Sequence, residues 1–164
     1  MLRVLGIDPG LHLTGYALAD LPLRALEPQL LEAGVIRLSP RLILEKRLAQ
    51  LHADLTDLIH EFHPQCLAVE KLYAHYKHPR TAILMAHARG VILLVAQQHD
   101  LPVEHLPATA VKKAITGYGH ASKEQIQRAI QAQCHLKQLP SPPDVADAIA
   151  IAFTHARRIA LARL

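Results

Sequence analysis

The sequence predicts an α/β domain. Its core would be one mixed five-stranded sheet, three antiparallel strands followed by βα units, with helices packed on it. Three observations lead there. Apolar runs at residues 2–8, 13–19 and roughly 30–38 are separated by turn residues, the mark of an opening β-meander. From residue 39 the apolar spacing changes from two to three and four, so strand gives way to helix. Two later apolar runs, "CLAVE" at 66–70 and the stretch "LPVEHLP", each precede a helical pattern.

Each element has a local reason. The first strand, "LRVLGID", ends on Asp8, where Pro9 and Gly10 break the chain. Gly34 interrupts the third strand and marks a bulge or a close approach. Ser39 is expected to cap the first helix, with Pro40 in its first turn. Leu44, Leu48, Leu51, Leu55, Leu58 and Phe62 give that helix one apolar face, and Pro64 stops it. The fourth strand ends on Glu70. A polar loop with two tyrosines follows, then a long helix at about 80–99 and the fifth strand. A short helix is expected at 108–116. Ser122 and Gln125 form a capping box for the next one. The last helix starts at the prolines before Asp144. No repeat, low-complexity tract or linker divides the chain, so one domain spanning residues 1–164 is expected.

Composition narrows the function. Hydrophobic residues make up 51% of the 164, enough for a core without disulfide staples. Cys66 and Cys134 are far apart and form no CxxC pair, which removes a redox motif and a zinc knuckle. There is no signal-peptide pattern, and the most apolar internal stretch, 91–96, is too short to span a bilayer. A reduced, cytoplasmic protein with no membrane partner is expected. The net charge of +4 suits a polyanionic partner. The 12 histidines are scattered and form no HExxH motif.

The chemistry lies in four acids. Asp8 and Glu70 end strands. Asp144 and Asp147 lie in the first turn of the last helix, and a spacing of three puts them on one face. Singly, each is an ordinary turn, strand-end or helix-start residue. Together they would crowd charge at the ends of buried elements, and divalent cations relieve such crowding. Hard oxygen donors suit Mg2+. Two ions about 3.5–4 Å apart would activate water for attack at phosphorus. Lys112 and Lys123 flank the Gly-rich stretch "GYGHAS", where a phosphate would fit. Tyr73 and Tyr76 share a polar loop beside Glu70, with Lys77 and Arg80 in the same region, an arrangement suited to base stacking and DNA contact.

The segments "GIDPGLHLTGYAL", "LAVEKLY", "ARGV", "VKKAITGYGHASKEQIQ" and "DVADAIAIA" together resemble the RuvC family of bacterial Holliday junction resolvases, over nearly the whole chain and in order. The resemblance implies a ribonuclease H-like fold and a metal-dependent homodimer that cuts four-way DNA junctions by paired symmetric nicks in recombination and repair. It implies a metal-binding and catalytic quartet at Asp8, Glu70, Asp144 and Asp147, essential lysines at Lys112 and Lys123, and a base-stacking aromatic at Tyr73. Two Mg2+ ions per site, replaceable by Mn2+, and handover from the RuvA–RuvB branch-migration complex are further implications. The dimer is expected through helix 80–99, whose apolar residues cover successive directions around its axis. Two alternatives are weighed. One is a junction-binding dimer without catalysis. The other is an actin-like nucleotide-binding protein, since "GIDPG" alone also resembles the first phosphate motif of those ATPases.

Overall fold

The computed structural model describes residues 1–72 and 79–164. The strands are β1 (Leu2–Asp8), β2 (Leu13–Leu21), β3 (Gln29–Arg37), β4 (Cys66–Glu70) and β5 (Val103–Leu106). The helices are α1 (Leu44–Phe62), α2 (Pro79–Gln98), α3 (Ala108–Thr116), α4 (Lys123–Gln133) and α5 (Pro143–Leu161). The sheet order is β3-β2-β1-β4-β5. β1, β2 and β3 pair antiparallel, while β1–β4 and β4–β5 are parallel. This is the mixed sheet expected from the pattern.

The sheet separates two apolar layers. Leu5 and Ile7 of β1 and Leu67 and Val69 of β4 pack with α1 and α2. Val4, Cys66 and Ala68 point the other way, into a layer formed by α3, α4 and α5. Strand side chains alternate in direction, so Asp8 follows Val4 and Gly6, and Glu70 follows Cys66 and Ala68. Both acids therefore belong to the α5 face.

Helix α5 lies unusually close to the sheet. A Cβ on Gly6 would stand 2.5 Å from the Ala148 carbonyl oxygen and 2.7 Å from the Ala152 Cβ. A Cβ on Gly15, the partner of Asp8 across β1–β2, would stand 2.2 Å from the carbonyl oxygen of Asp144. Glycine facing alanine is what lets helix and sheet backbones meet here. The same contact brings the first turn of α5 against the end of β1.

Two local expectations change. Ser39 does not cap α1. That helix begins at Leu44 with Ile43 as its N-cap and no side-chain cap. Ser39 instead accepts from the amide of Arg41 through its side chain and from that of Leu42 through its carbonyl, a turn that precedes the helix. The bulge is not at Gly34 either. Leu18 pairs with Glu32 but Ala19 with Leu30, which leaves Leu31 as the extra residue. Gly34 serves close approach, since a Cβ there would meet the Tyr16 hydroxyl at 2.7 Å. The capping box at Ser122 and Gln125 forms as expected.

Helix α2 packs Ala88, Ile92, Val95 and Ala96 into the core. Its opposite side carries Ile83, 59% exposed, and Leu94, 51% exposed. The whole of α2, longer than the stretch 91–96, is long and apolar enough to cross a membrane by length and composition alone. One stripe of it packs in the layer shared with α1.

Candidate active site

The parallel neighbours β1 and β4 end side by side at their C-terminal ends, and the N-terminus of α5 reaches the same place. A cavity of about 560 Å³ opens there. Asp8, Glu70, Asp144 and Asp147 all line it, as do Lys112 from α3 and Lys123 from α4. Val111 and Ile115 anchor α3 in the core, and Ile126 and Ile130 anchor α4, so each lysine is delivered by a helix fixed in the core. The β1–β2 turn forms the rim. The buried Thr14 hydroxyl donates to the Gly10 carbonyl at 2.6 Å and accepts from the Gly10 amide, which holds the chain just after Asp8.

The electrostatics follow from the crowding. Asp8 touches the cavity's solvent, yet its carboxyl group lies deep among protein atoms. Burial raises its pKa well above the ordinary value, and Asp147, Glu70 and Asp144 push it further, opposed by Lys123. Burial also raises Glu70, with Asp147 adding to it and Lys112 and Lys123 acting against it. Asp147 is raised by burial and by Asp144, against the pull of Lys123 and Lys112. The ion pairs formed among the described residues involve Arg3, Arg128, Arg157 and Arg158, and none includes one of these four acids.

A divalent cation fits this donor set. The wall offers carboxylate oxygens in excess of its positive charge, and the hard oxygens suit the Mg2+ and Mn2+ class. Among the described residues no three acid, histidine or cysteine side chains already converge as a closed ligand cage.

Among the cavity residues that sequence reasoning did not single out are His12, Thr81 and Met85. His12 sits on the rim turn four residues after Asp8, a spacing that could have flagged it. Thr81 and Met85 reach the cavity only because α2 crosses behind Glu70, which no local pattern encodes. Arg80 is exposed at the start of α2 and does not line the cavity. Tyr73, Tyr76 and Lys77 lie outside the described residues.

Beneath Glu70 lies a second polar group. Arg89 of α2 donates through Nε to the Glu70 carbonyl at 3.2 Å and through a terminal nitrogen to Nδ1 of His105 on β5. Burial lowers the pKa of His105, and the charges of Arg89 and Lys71 lower it further, against a smaller opposing effect of Glu104.

Residues 4–155 match the family model described as crossover junction endodeoxyribonuclease RuvC. The chain is 48% identical over 150 residues to a protein of that name from Rhodopirellula baltica, covering 92% of this chain and 83% of the relative. Among solved structures it is similar to T. thermophilus RuvC in complex with Holliday junction substrate, with a TM-score of 0.89 and 33% identity, covering 99% of this chain and 97% of that one. The yeast mitochondrial Holliday junction resolvase Ydc2 shares the fold, with a TM-score of 0.64 at 17% identity, covering 99% and 82%.

Proposed function

The chain belongs to the RuvC family of crossover junction endodeoxyribonucleases, and on that premise we propose that it resolves four-way Holliday junctions by cutting DNA at the carboxylate cavity. It does so as one nuclease domain over residues 1–164. Membership of the family replaces both the actin-like reading and that of a passive junction binder. The observation that carries the assignment of the site is geometric: strand parity and the glycine–alanine contact bring four acids from three elements to one cavity.

A nuclease of this family requires a divalent metal. Asp8, Glu70, Asp144 and Asp147 would hold it, and we infer two Mg2+ ions per site, with Mn2+ able to substitute. When bound, such ions lower the pKa of water and offset the charge that develops at phosphorus. The four carboxylates would hold and orient that centre. Lys112 and Lys123, which line the same cavity, would neutralise the non-bridging oxygens. Attack by water in line forms a new P–O bond as P–O3′ breaks, and the proton lost by the water passes through solvent to the departing O3′, which leaves a 5′-phosphate and a 3′-hydroxyl.

Around the site, Tyr73 is proposed to stack on a base at the opened junction, with Tyr76, Lys77 and Arg80 contacting DNA nearby. The exposed side of α2 is proposed as the two-fold interface of a homodimer, whose symmetry matches that of the junction and pairs the nicks. A short T-rich cleavage site, handover from RuvA–RuvB and action in the bacterial cytoplasm complete the proposal.

The test is a labelled synthetic four-way junction incubated with Mg2+. Asp8→Asn is expected to abolish cleavage while junction binding persists, because the change removes a ligand and also a charge that repels DNA. Cleavage at the normal rate by Asp8→Asn would overturn the assignment. In the same assay Lys112→Ala or Lys123→Ala should slow single-turnover cleavage by more than it weakens binding; unchanged rates would return them to surface residues. Tyr73→Ala should weaken junction engagement by about 1–3 kcal/mol and Tyr73→Phe should not, and equal behaviour would remove the stacking role.

A further inference from the structure

A carboxylate ligand is only as well placed as the backbone that carries it, and Glu70 is the last residue of its strand. Chain ends of this kind fray unless something outside the ladder holds them. Two contacts do so here. The Lys71 amide donates to the Leu106 carbonyl at 2.8 Å, which carries the β4–β5 pairing one residue past Glu70. Arg89 then grips the Glu70 carbonyl itself, 3.2 Å from its Nε, while another arm of the same guanidinium holds His105. An arginine can only donate, so the His105 ring must accept at Nδ1 and carry its proton on Nε2. The planar fork spans two neighbouring strands at adjacent register positions, Val69↔His105 and Glu70↔Leu106. Arg89 lines a cleft with Lys71, Leu72, Glu104 and His105, separate from the carboxylate cavity, so it does not touch the reacting atoms.

We propose that Arg89 is a positioning residue for the nuclease reaction: braced on His105, its guanidinium fixes the strand end that presents the Glu70 carboxylate to a divalent cation. This rests on the reading of Glu70 as a metal ligand. Groups one shell behind a ligand set its direction, and their loss costs on the order of 10–100-fold in metal affinity. Lysine does not replace the fork, because one ammonium cannot hold both acceptors in a plane.

The experiment is calorimetric titration of Mn2+ into the DNA-free full chain, for wild type, Arg89→Ala, Arg89→Lys and Glu70→Gln, with single-turnover cleavage measured in parallel. Arg89→Ala is expected to weaken Mn2+ binding about tenfold. Its cleavage rate should recover with excess metal, and its junction affinity without metal should stay at the wild-type value. Arg89→Lys should show a smaller weakening in the same direction. A purely structural arginine would lower the melting temperature and leave the Mn2+ affinity unchanged. If Glu70→Gln weakens Mn2+ binding and neither Arg89 variant does, the positioning role is overturned and the metal site stands. If Glu70→Gln itself leaves the affinity unchanged, Glu70 is no ligand and both readings fall. Should Arg89→Ala not fold, Arg89→Lys decides, and wild-type affinity in that variant overturns the proposal.

Discussion

Asp8, Glu70 and Asp147 bind their protons more tightly in the folded chain than in the unfolded one, because burial and mutual repulsion both disfavour the charged forms. The sign of the consequence is fixed. Between the ordinary carboxylate pKa and the raised folded values, the native state holds more protons than the unfolded state. Stability therefore falls as pH rises through that window. The metal-free protein is expected to melt at a higher temperature at about pH 5 than at about pH 7. Asp147→Asn should raise the melting temperature of the metal-free protein at neutral pH, by about 2–4 °C for each kcal/mol of repulsion relieved, and should abolish cleavage. Added Mn2+ should stabilise the wild type more than this variant. Calorimetric melts at the two pH values, with and without Mn2+, measure all of this. A variant that melts lower than wild type would show that Asp147 is not under repulsion. At this scale the positions of the four acids were legible, since two end strands and two lie near the start of a helix whose patterns can be read. Arg89 was not: "ARGV" stands out as a motif, but its bond to Glu70 depends on how α2 crosses β4, which local sequence does not encode.

Two elements determine whether the site assembles. Helix α5 carries half the quartet, and its approach to β1 depends on the missing side chain of Gly6. Gly6→Ala forces a Cβ into backbone atoms rather than into the tip of a flexible side chain. It should cost about 1–3 kcal/mol of stability by overpacking. It should also cut cleavage more than tenfold by moving Asp144 and Asp147, as urea unfolding and a junction assay would show. Undiminished cleavage would mean that the quartet tolerates displacement of α5. Helix α2 presents the other case. Leu93 packs partly on the core and Leu94 points outward, so of the two candidates Leu94 is the one to change. Leu94→Arg is expected to yield monomers in sedimentation and to nick a supercoiled cruciform plasmid on one strand only. Linear product from a proven monomer within one binding event would break the link between dimer and paired cuts. Element positions were readable because apolar period and punctuation agree along most of the chain. The start of α1 was misread because a serine before a proline also satisfies a turn, and the structure uses Ser39 that way.

At the scale of the molecule, the opening meander and the βα units were visible in the order of the patterns, and so was a mixed sheet. The strand order β3-β2-β1-β4-β5 puts β1 at the centre, and that placement brings the end of the first strand to the carboxylate cavity. The cavity joins residues far apart along the chain: Asp8 sits on β1, whereas Asp144 and Asp147 sit on α5. Contacts of such separation form late, because the loop between them must close before they reward it. For a chain leaving the ribosome this has a protective side. A nascent polypeptide that has emerged only past Glu70 owns two of the four acids and no α5 to wall the cavity. With the quartet as the proposed site, nuclease activity would be withheld until α5 emerges, and a chain cut short before α5 would be expected not to cut DNA.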